Sequence, residues 1–143
     1  MIESKFWEQM RQHLPIDYME RVENGVNNGM PDVHFLESGL SGWMELKAEE
    51  KFPSKIDFQP GQPIWLDQYC KMGGTAFIVL HVKETGTIYI WEGLDAMTLK
   101  EKGGTMITTP ILVVDRNQHG WEAIAHFLSQ YRPRYRVRSQ RMS

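Results

Sequence analysis

Asp32, Glu45 and Lys47 are the residues whose types and spacing could do chemistry together. They lie within Gly29–Lys47, which reads as two short strands joined by a tight Ser/Gly-containing turn. Asp32 opens the first strand, directly after Pro31. Glu45 and Lys47 stand two apart on the second, so strand geometry points both to one face. Met44, Leu46 and Ala48 then face the other way, into a core. Two acids and a lysine on one side of a hairpin backed by apolar residues can hold a divalent metal and steer a water molecule. That is equipment for cleaving phosphodiesters.

Register decides whether the hairpin delivers this set, because a one-residue shift moves every side chain to the opposite face. A symmetric turn centred on Leu40 puts Asp32 opposite Ala48, on the wrong face from Glu45. Pairing Glu37 with Gly42 leaves a four-residue loop, Ser38 to Ser41, and sets Asp32 opposite Lys47 and His34 opposite Glu45. This odd register, or a bulge with the same effect, is the expectation. His34 then borders the site.

The Pro31-Asp32 pair followed by Glu45-Leu46-Lys47 resembles the signature of the PD-(D/E)XK nuclease superfamily. The Gly-Met-Pro-Asp form and the later Gln62 resemble its VRR-NUC branch, the virus-type replication and repair nucleases. The similarity runs from about Glu3 to Val82. An E-x-K alone is a weak signal; the ordered set of Glu3, Pro31-Asp32, Glu45-x-Lys47 and Gln62 is far more specific.

The resemblance implies a restriction-endonuclease-like core and a metal-dependent endonuclease acting on DNA, with Glu3, Asp32, Glu45, Lys47 and Gln62 as its catalytic residues. It implies Mg²⁺ or Mn²⁺ on the carboxylates of Asp32 and Glu45 and on the Leu46 backbone carbonyl, with Glu3 binding a second ion or an ordered water. Hard oxygen donors of this kind suit Mg²⁺, which favours octahedral geometry and retains several waters. Lys47 positions the nucleophilic water and compensates charge, and Gln62 adjoins the centre, orienting water or phosphate.

The elements that must position these residues follow from periodicity. Residues 2–14 read as an amphipathic helix with Phe6, Trp7, Met10 and Leu14 on its inward stripe. Glu3 shares that stripe, and a carboxylate facing a core must be paired, protonated or metal-bound. Pro15 stops the helix, Asp17 to Glu23 is extended, and an Asn/Gly-rich loop follows to Gly29. Beyond the hairpin, residues 49–60 form a loop whose Lys51 and Lys55 lead away from Lys47, towards a substrate backbone or plain solvent. Gln62 to Gly73 reads as a helix with Pro63 in its first turn, and Gln62, Trp65, Leu66 and Tyr69 on one face.

Thr75 to Val82 is a buried strand and Thr87 to Trp91 another. A short helix over Leu94 to Lys100 ends at Gly103-Gly104. Ile111 to Val114 is an edge strand, and Trp121, Ile124, Ala125 and Leu128 mark a closing helix. The order α-β-β-β-α-β-β plus a C-terminal helix describes an α/β (α+β) domain over residues 1–131, with a central mixed sheet flanked by helices.

Size and composition agree with a single globular domain. The 143 residues are 41% hydrophobic and include five tryptophans, which argues against disorder. No apolar run is long enough to cross a bilayer and nothing resembles a signal peptide, so a cytoplasmic location is expected. The single Cys70 excludes an internal disulfide and a cysteine-built zinc site; its apolar neighbours favour inert packing.

The net charge of −2 hides an asymmetry. Residues 132–143 hold five arginines and no acid, which leaves eleven basic against eighteen acidic side chains in the preceding 131 residues. Arg132, Arg134, Arg136, Arg138 and Arg141 form a basic tail suited to a phosphate backbone, together with Lys51 and Lys55. Without a separate recognition domain, structure-selective cutting of branched or junction DNA is expected, and a two-fold junction calls for a homodimer. Two other readings stay open. One is a nuclease-fold DNA-binding module that has lost catalysis. The other takes Glu45 and Lys47 as an ordinary same-face ion pair.

Overall fold

In the computed structural model, which describes residues 4–22, 29–103 and 108–133, the longest strand carries the candidate chemistry. This is β3, Leu40–Glu49, ten residues long and third in a six-stranded sheet. Before it run a helix, α1 (Ser4–His13), and two strands, β1 (Tyr18–Arg21) and β2 (Val33–Glu37). After it come α2 (Gln62–Lys71), β4 (Ala76–Val82) and β5 (Thr87–Glu92). A 3₁₀ turn at Gly93–Asp95 leads into α3 (Ala96–Lys102), followed by β6 (Leu112–Asp115) and α4 (Gln118–Gln130). The expected order α-β-β-β-α-β-β is therefore the observed one, with α3, β6 and α4 added.

Strand order in space follows the sequence, β1-β2-β3-β4-β5-β6. All pairs are antiparallel except β3 with β4, which are parallel because α2 carries the chain back between them. The sheet is thus mixed and flanked by helices. Every residue of β4 is buried, as a strand covered on both faces requires.

One face is covered by α1 and α4. Phe6, Trp7, Met10 and Leu14 of the first helical stripe meet Val33, Phe35, Met44, Leu46, Phe77 and Val79 there, closed by Trp121, Ile124 and Leu128. On the other face α2 and α3 press Leu66, Cys70 and Leu99 against Ala76, Ile78, Leu80 and Trp91. Burial pushes the Cys70 thiol up to about 11, so it stays protonated and behaves as a small apolar side chain. Among the described residues no helix is long and apolar enough to cross a membrane.

The hairpin register differs from the expected one. Glu37 pairs with Leu40, not Gly42, and the turn is two residues, Ser38-Gly39. Both have positive φ, 51° and 83°, the backbone sense that matches the natural twist of the strands on either side. His34 consequently lies opposite Trp43 rather than Glu45, and its Nε2 meets Ser41 Oγ at 3.1 Å. The shift is by two residues, so faces are preserved. Continuing the same register brings Asp32 level with Glu45, and Asp32 N–H donates to the Met44 carbonyl at 3.1 Å.

Two glycines hold this hairpin for different reasons, which a substitution series can separate. At Gly39 a Cβ meets nothing within 4 Å, so Gly39→Ala carries only the backbone strain of a positive φ, about 1 kcal/mol. At Gly42 a Cβ would stand 2.8 Å from the Phe35 ring and 2.9 Å from the Thr75 carbonyl oxygen, a backbone atom that cannot swing away. Gly42→Ala should therefore cost at least ~2 kcal/mol by overpacking, read from the urea midpoint at constant m. Equal losses at the two positions would contradict this division.

Candidate functional site

Asp32 precedes the first residue of β2 and is tied down on both sides. Its carbonyl accepts from Val22 N–H at 2.7 Å, and its Oδ2 accepts from Leu46 N–H at 3.2 Å. The carboxylate therefore leans across β3 rather than out to solvent. Glu45, on the face of β3 that packs towards α2, is only 3% exposed. Its Oε2 lies 3.2 Å from Lys47 Nζ, whose side chain is 17% exposed.

The loop between β3 and α2 completes the enclosure. Ile56 is buried and its N–H donates to the Leu99 carbonyl at 3.2 Å, anchoring the loop on α3. Phe58 then presents its ring to Lys47, with Nζ 4.9 Å from the ring centroid, a cation–π contact that keeps the ammonium beside Glu45. Gln62, buried at the first turn of α2, accepts from Gln59 N–H at 3.0 Å through Oε1, while its own N–H donates to the Gln59 carbonyl at 3.1 Å. This reciprocal pair fixes the entry of α2 and holds the Gln62 amide next to Glu45, where it helps to favour the ionised form.

The electrostatics follow from enclosure. Burial, and then the neighbouring Asp32 carboxylate, push the Glu45 carboxyl up to about 7, against the opposing pull of Lys47. Burial raises Asp32 as well, opposed by the Leu46 N–H and by Lys47. Two carboxyl groups within hydrogen-bonding reach in a low-dielectric setting cannot both ionise freely, so the pair holds a proton between them near neutrality. The orphaned oxygen supports this: Glu45 Oε1 is fully buried and has no hydrogen-bond donor among the described residues. A proton carried by the pair, or a water, is what that oxygen requires.

Of the residues singled out from the sequence, Asp32, Glu45, Lys47 and Gln62 are brought together. Lys51 and Lys55 are not joined to them by any hydrogen bond or ion pair; Lys51 reaches past the end of β3 to within 4.0 Å of Glu84, and Lys55 is exposed. Arg132 follows α4 and donates from Nη1 to the Tyr131 carbonyl at 2.7 Å. Glu3, Arg134, Arg136, Arg138 and Arg141 lie outside the described residues. Phe58 and Gln59 escaped sequence reading, since their roles depend on where a long irregular loop folds back.

The expectation of Mg²⁺ or Mn²⁺ is overturned by the donor set. Among the described residues no three His, Cys, Asp or Glu side chains converge in a way that could hold a metal ion. Of the described candidate acids Asp32 and Glu45 meet, and Glu45 already carries Lys47 as its counter-charge at 3.2 Å. The Lys47 ammonium supplies at Glu45 the positive charge that a cation would otherwise bring. The role assigned to the Leu46 carbonyl goes with it; the contact Leu46 makes with Asp32 is through its N–H.

Because the folded chain holds the Glu45 proton more tightly than the unfolded chain, whose carboxyl titrates near 4.5, this group's contribution is most favourable below that value. It is lost as pH rises through about 7. Glu45→Gln removes the titration, so the variant should gain on the wild type as pH rises from 4.5 to 8, by on the order of 2 kcal/mol. Leaving Lys47 without its partner takes back part of the gain. Melting curves across that range check this, and a difference independent of pH contradicts it. The chain matches no protein-family model, and no curated protein is significantly similar to it.

Proposed function

We propose that this chain is a nuclease of the restriction-endonuclease-like fold that hydrolyses phosphodiester bonds in DNA, at the site formed by Asp32, Glu45, Lys47 and Gln62. The observation that carries the reading is the meeting of the Asp32 carboxylate, from the segment before β2, with that of Glu45 on β3, beside a lysine held at 3.2 Å. A purely structural ion pair accounts for Glu45 and Lys47. It does not account for a second, half-buried acid turned towards the first, a placement that costs stability.

Hydrolysis needs a base for the attacking water and a positive charge for the phosphoryl oxygens. In the proposed reaction water attacks phosphorus while the ionised carboxylate pair takes its proton, and the P–O bond to the leaving alkoxide breaks as that oxygen gains a proton from solvent. A base poised near neutrality is well matched to this task. Lys47 offsets the charge that builds on the phosphoryl oxygens, and Gln62 orients the water. Lys51, Lys55 and the arginines from Arg132 onwards supply positive charge for contacts to the DNA backbone, which suits recognition of DNA shape, such as a branch or junction, by a two-fold dimer.

A second reading has its own support. With only two converging acids among the described residues, the same surface would serve a nuclease-fold module that binds DNA without cutting it.

Cleavage of linear, nicked, flapped and four-way-junction DNA under physiological ionic conditions tests the proposal. The wild type should cut branched substrates, with a rate that rises as pH passes through about 7 and the carboxylate pair ionises. Glu45→Gln and Asp32→Asn should each lower the rate at least ~100-fold, the usual contribution of a positioned base, while leaving DNA affinity in place. Tight binding with no cutting by the wild type passes the case to the second reading, and neither binding nor cutting removes both.

A further inference from the structure

On the face of the sheet away from Glu45, α1 and the start of α4 leave a cavity of about 230 Å³, lined by Gln9, His13, Arg116, Asn117, Gln118 and Trp121. No carboxylate is among these residues. The described acids of α1 and α4 are engaged, Glu122 by Gln118 Nε2 at 2.8 Å and Glu8 by Arg11 at 2.6 Å, and Asp115, next to Arg116 in the chain, is exposed and not part of the lining.

Arg116 is pre-oriented here. Its Nε donates to Nε2 of His81 at 3.0 Å, and His81 is 5% exposed and stacked on Phe6 at 4.9 Å. An acceptor nitrogen carries no proton, so it adds no competing charge at that contact. The bond leaves the two Nη groups of the guanidinium as a planar fork, and Arg116 makes no ion pair among the described residues. The His13 ring lies against Trp121 at 6.4 Å on the other wall.

Two further features point to a ligand. Asn117 caps α4, its side chain accepting from Gly120 N–H at 2.9 Å, and the N–H groups of Gln118 and His119 have no partner within the helix. Gln9 contributes a buried side-chain oxygen with no hydrogen-bond donor among the described residues, which a hydroxyl on a bound group would satisfy.

We infer that this cavity binds a phosphate group, with the Arg116 fork and the His13 ring donating to its oxygens and a P–OH or adjoining sugar hydroxyl meeting Gln9. Guanidinium matches two phosphate oxygens at once, and a fork already fixed by His81 loses little freedom on binding. The site is separate from Asp32 and Glu45 and does not depend on their role.

Titration calorimetry of the full chain with inorganic phosphate at constant ionic strength tests the inference. The wild type should bind saturably, Arg116→Gln should weaken binding at least ~tenfold through loss of a charge-assisted pair, and Glu45→Gln should bind as the wild type does. His13→Gln provides a second variant should Arg116→Gln fold poorly, and is expected to weaken binding about threefold, a lesser loss suited to a single hydrogen bond. The salt dependence of DNA binding identifies the source of the phosphate. A slope reduced by about one in Arg116→Gln assigns the cavity to the DNA backbone, and an unchanged slope with phosphate binding lost assigns it to a small phosphorylated ligand. Absence of saturable phosphate binding by the wild type, or wild-type affinity in both Arg116→Gln and His13→Gln, overturns the inference.

Discussion

Two carboxylates forced together in a dry place are the constraint on which the rest of this molecule turns. Glu45 is buried on the third strand, and Asp32 arrives beside it from the segment before the second. Burial alone already lifts each acid above its ordinary range. Side by side, burial raises both, Asp32 raises Glu45 further, and Glu45 retains its proton to near neutrality. Lys47 and the Leu46 N–H oppose that rise without cancelling it. Burying such a pair costs stability, and the large apolar clusters on both faces of the sheet are what make the cost tolerable.

The geometry that brings the acids together is set far from them, at Ser38-Gly39. A two-residue turn with both φ angles positive fixes which residues face one another along the whole hairpin. From that point the pairing runs back to Val33 and Met44, and places Asp32 next to Glu45. The remaining enclosure comes from chain that is neither helix nor strand. Ile56, anchored on Leu99, lets Phe58 reach Lys47, and Gln59 and Gln62 lock the start of the helix that roofs Glu45. Secondary structure aims the acids; an irregular loop keeps them dry.

Much of this was legible in the sequence, for identifiable reasons. The order of elements follows from hydrophobic period, because Phe6, Trp7, Met10 and Leu14 repeat at helical spacing and residues 76–82 form an unbroken apolar run apart from His81. The convergence of Asp32 with Glu45 rests on parity alone, and parity survived the two-residue error in register. The register itself was not legible, since Ser38, Gly39, Ser41 and Gly42 offer several turns of similar chemistry, and strand twist chooses among them. The contacts of Phe58 and the Arg116–His81 bond join residues far apart in the chain, where local pattern carries no information. The metal expectation failed because a list of acids does not reveal how few of them converge: among the described residues no three meet.

The most direct measurement is an NMR titration of the side-chain carboxyl carbons of Asp32 and Glu45 in the intact chain from pH 3 to 9. A shared proton predicts that both resonances move together in a step near 7, because each reports the charge on its neighbour. Two independent transitions, both in the ordinary carboxylate range near 4, would show that the acids are solvated and apart, and the account of this site would not stand.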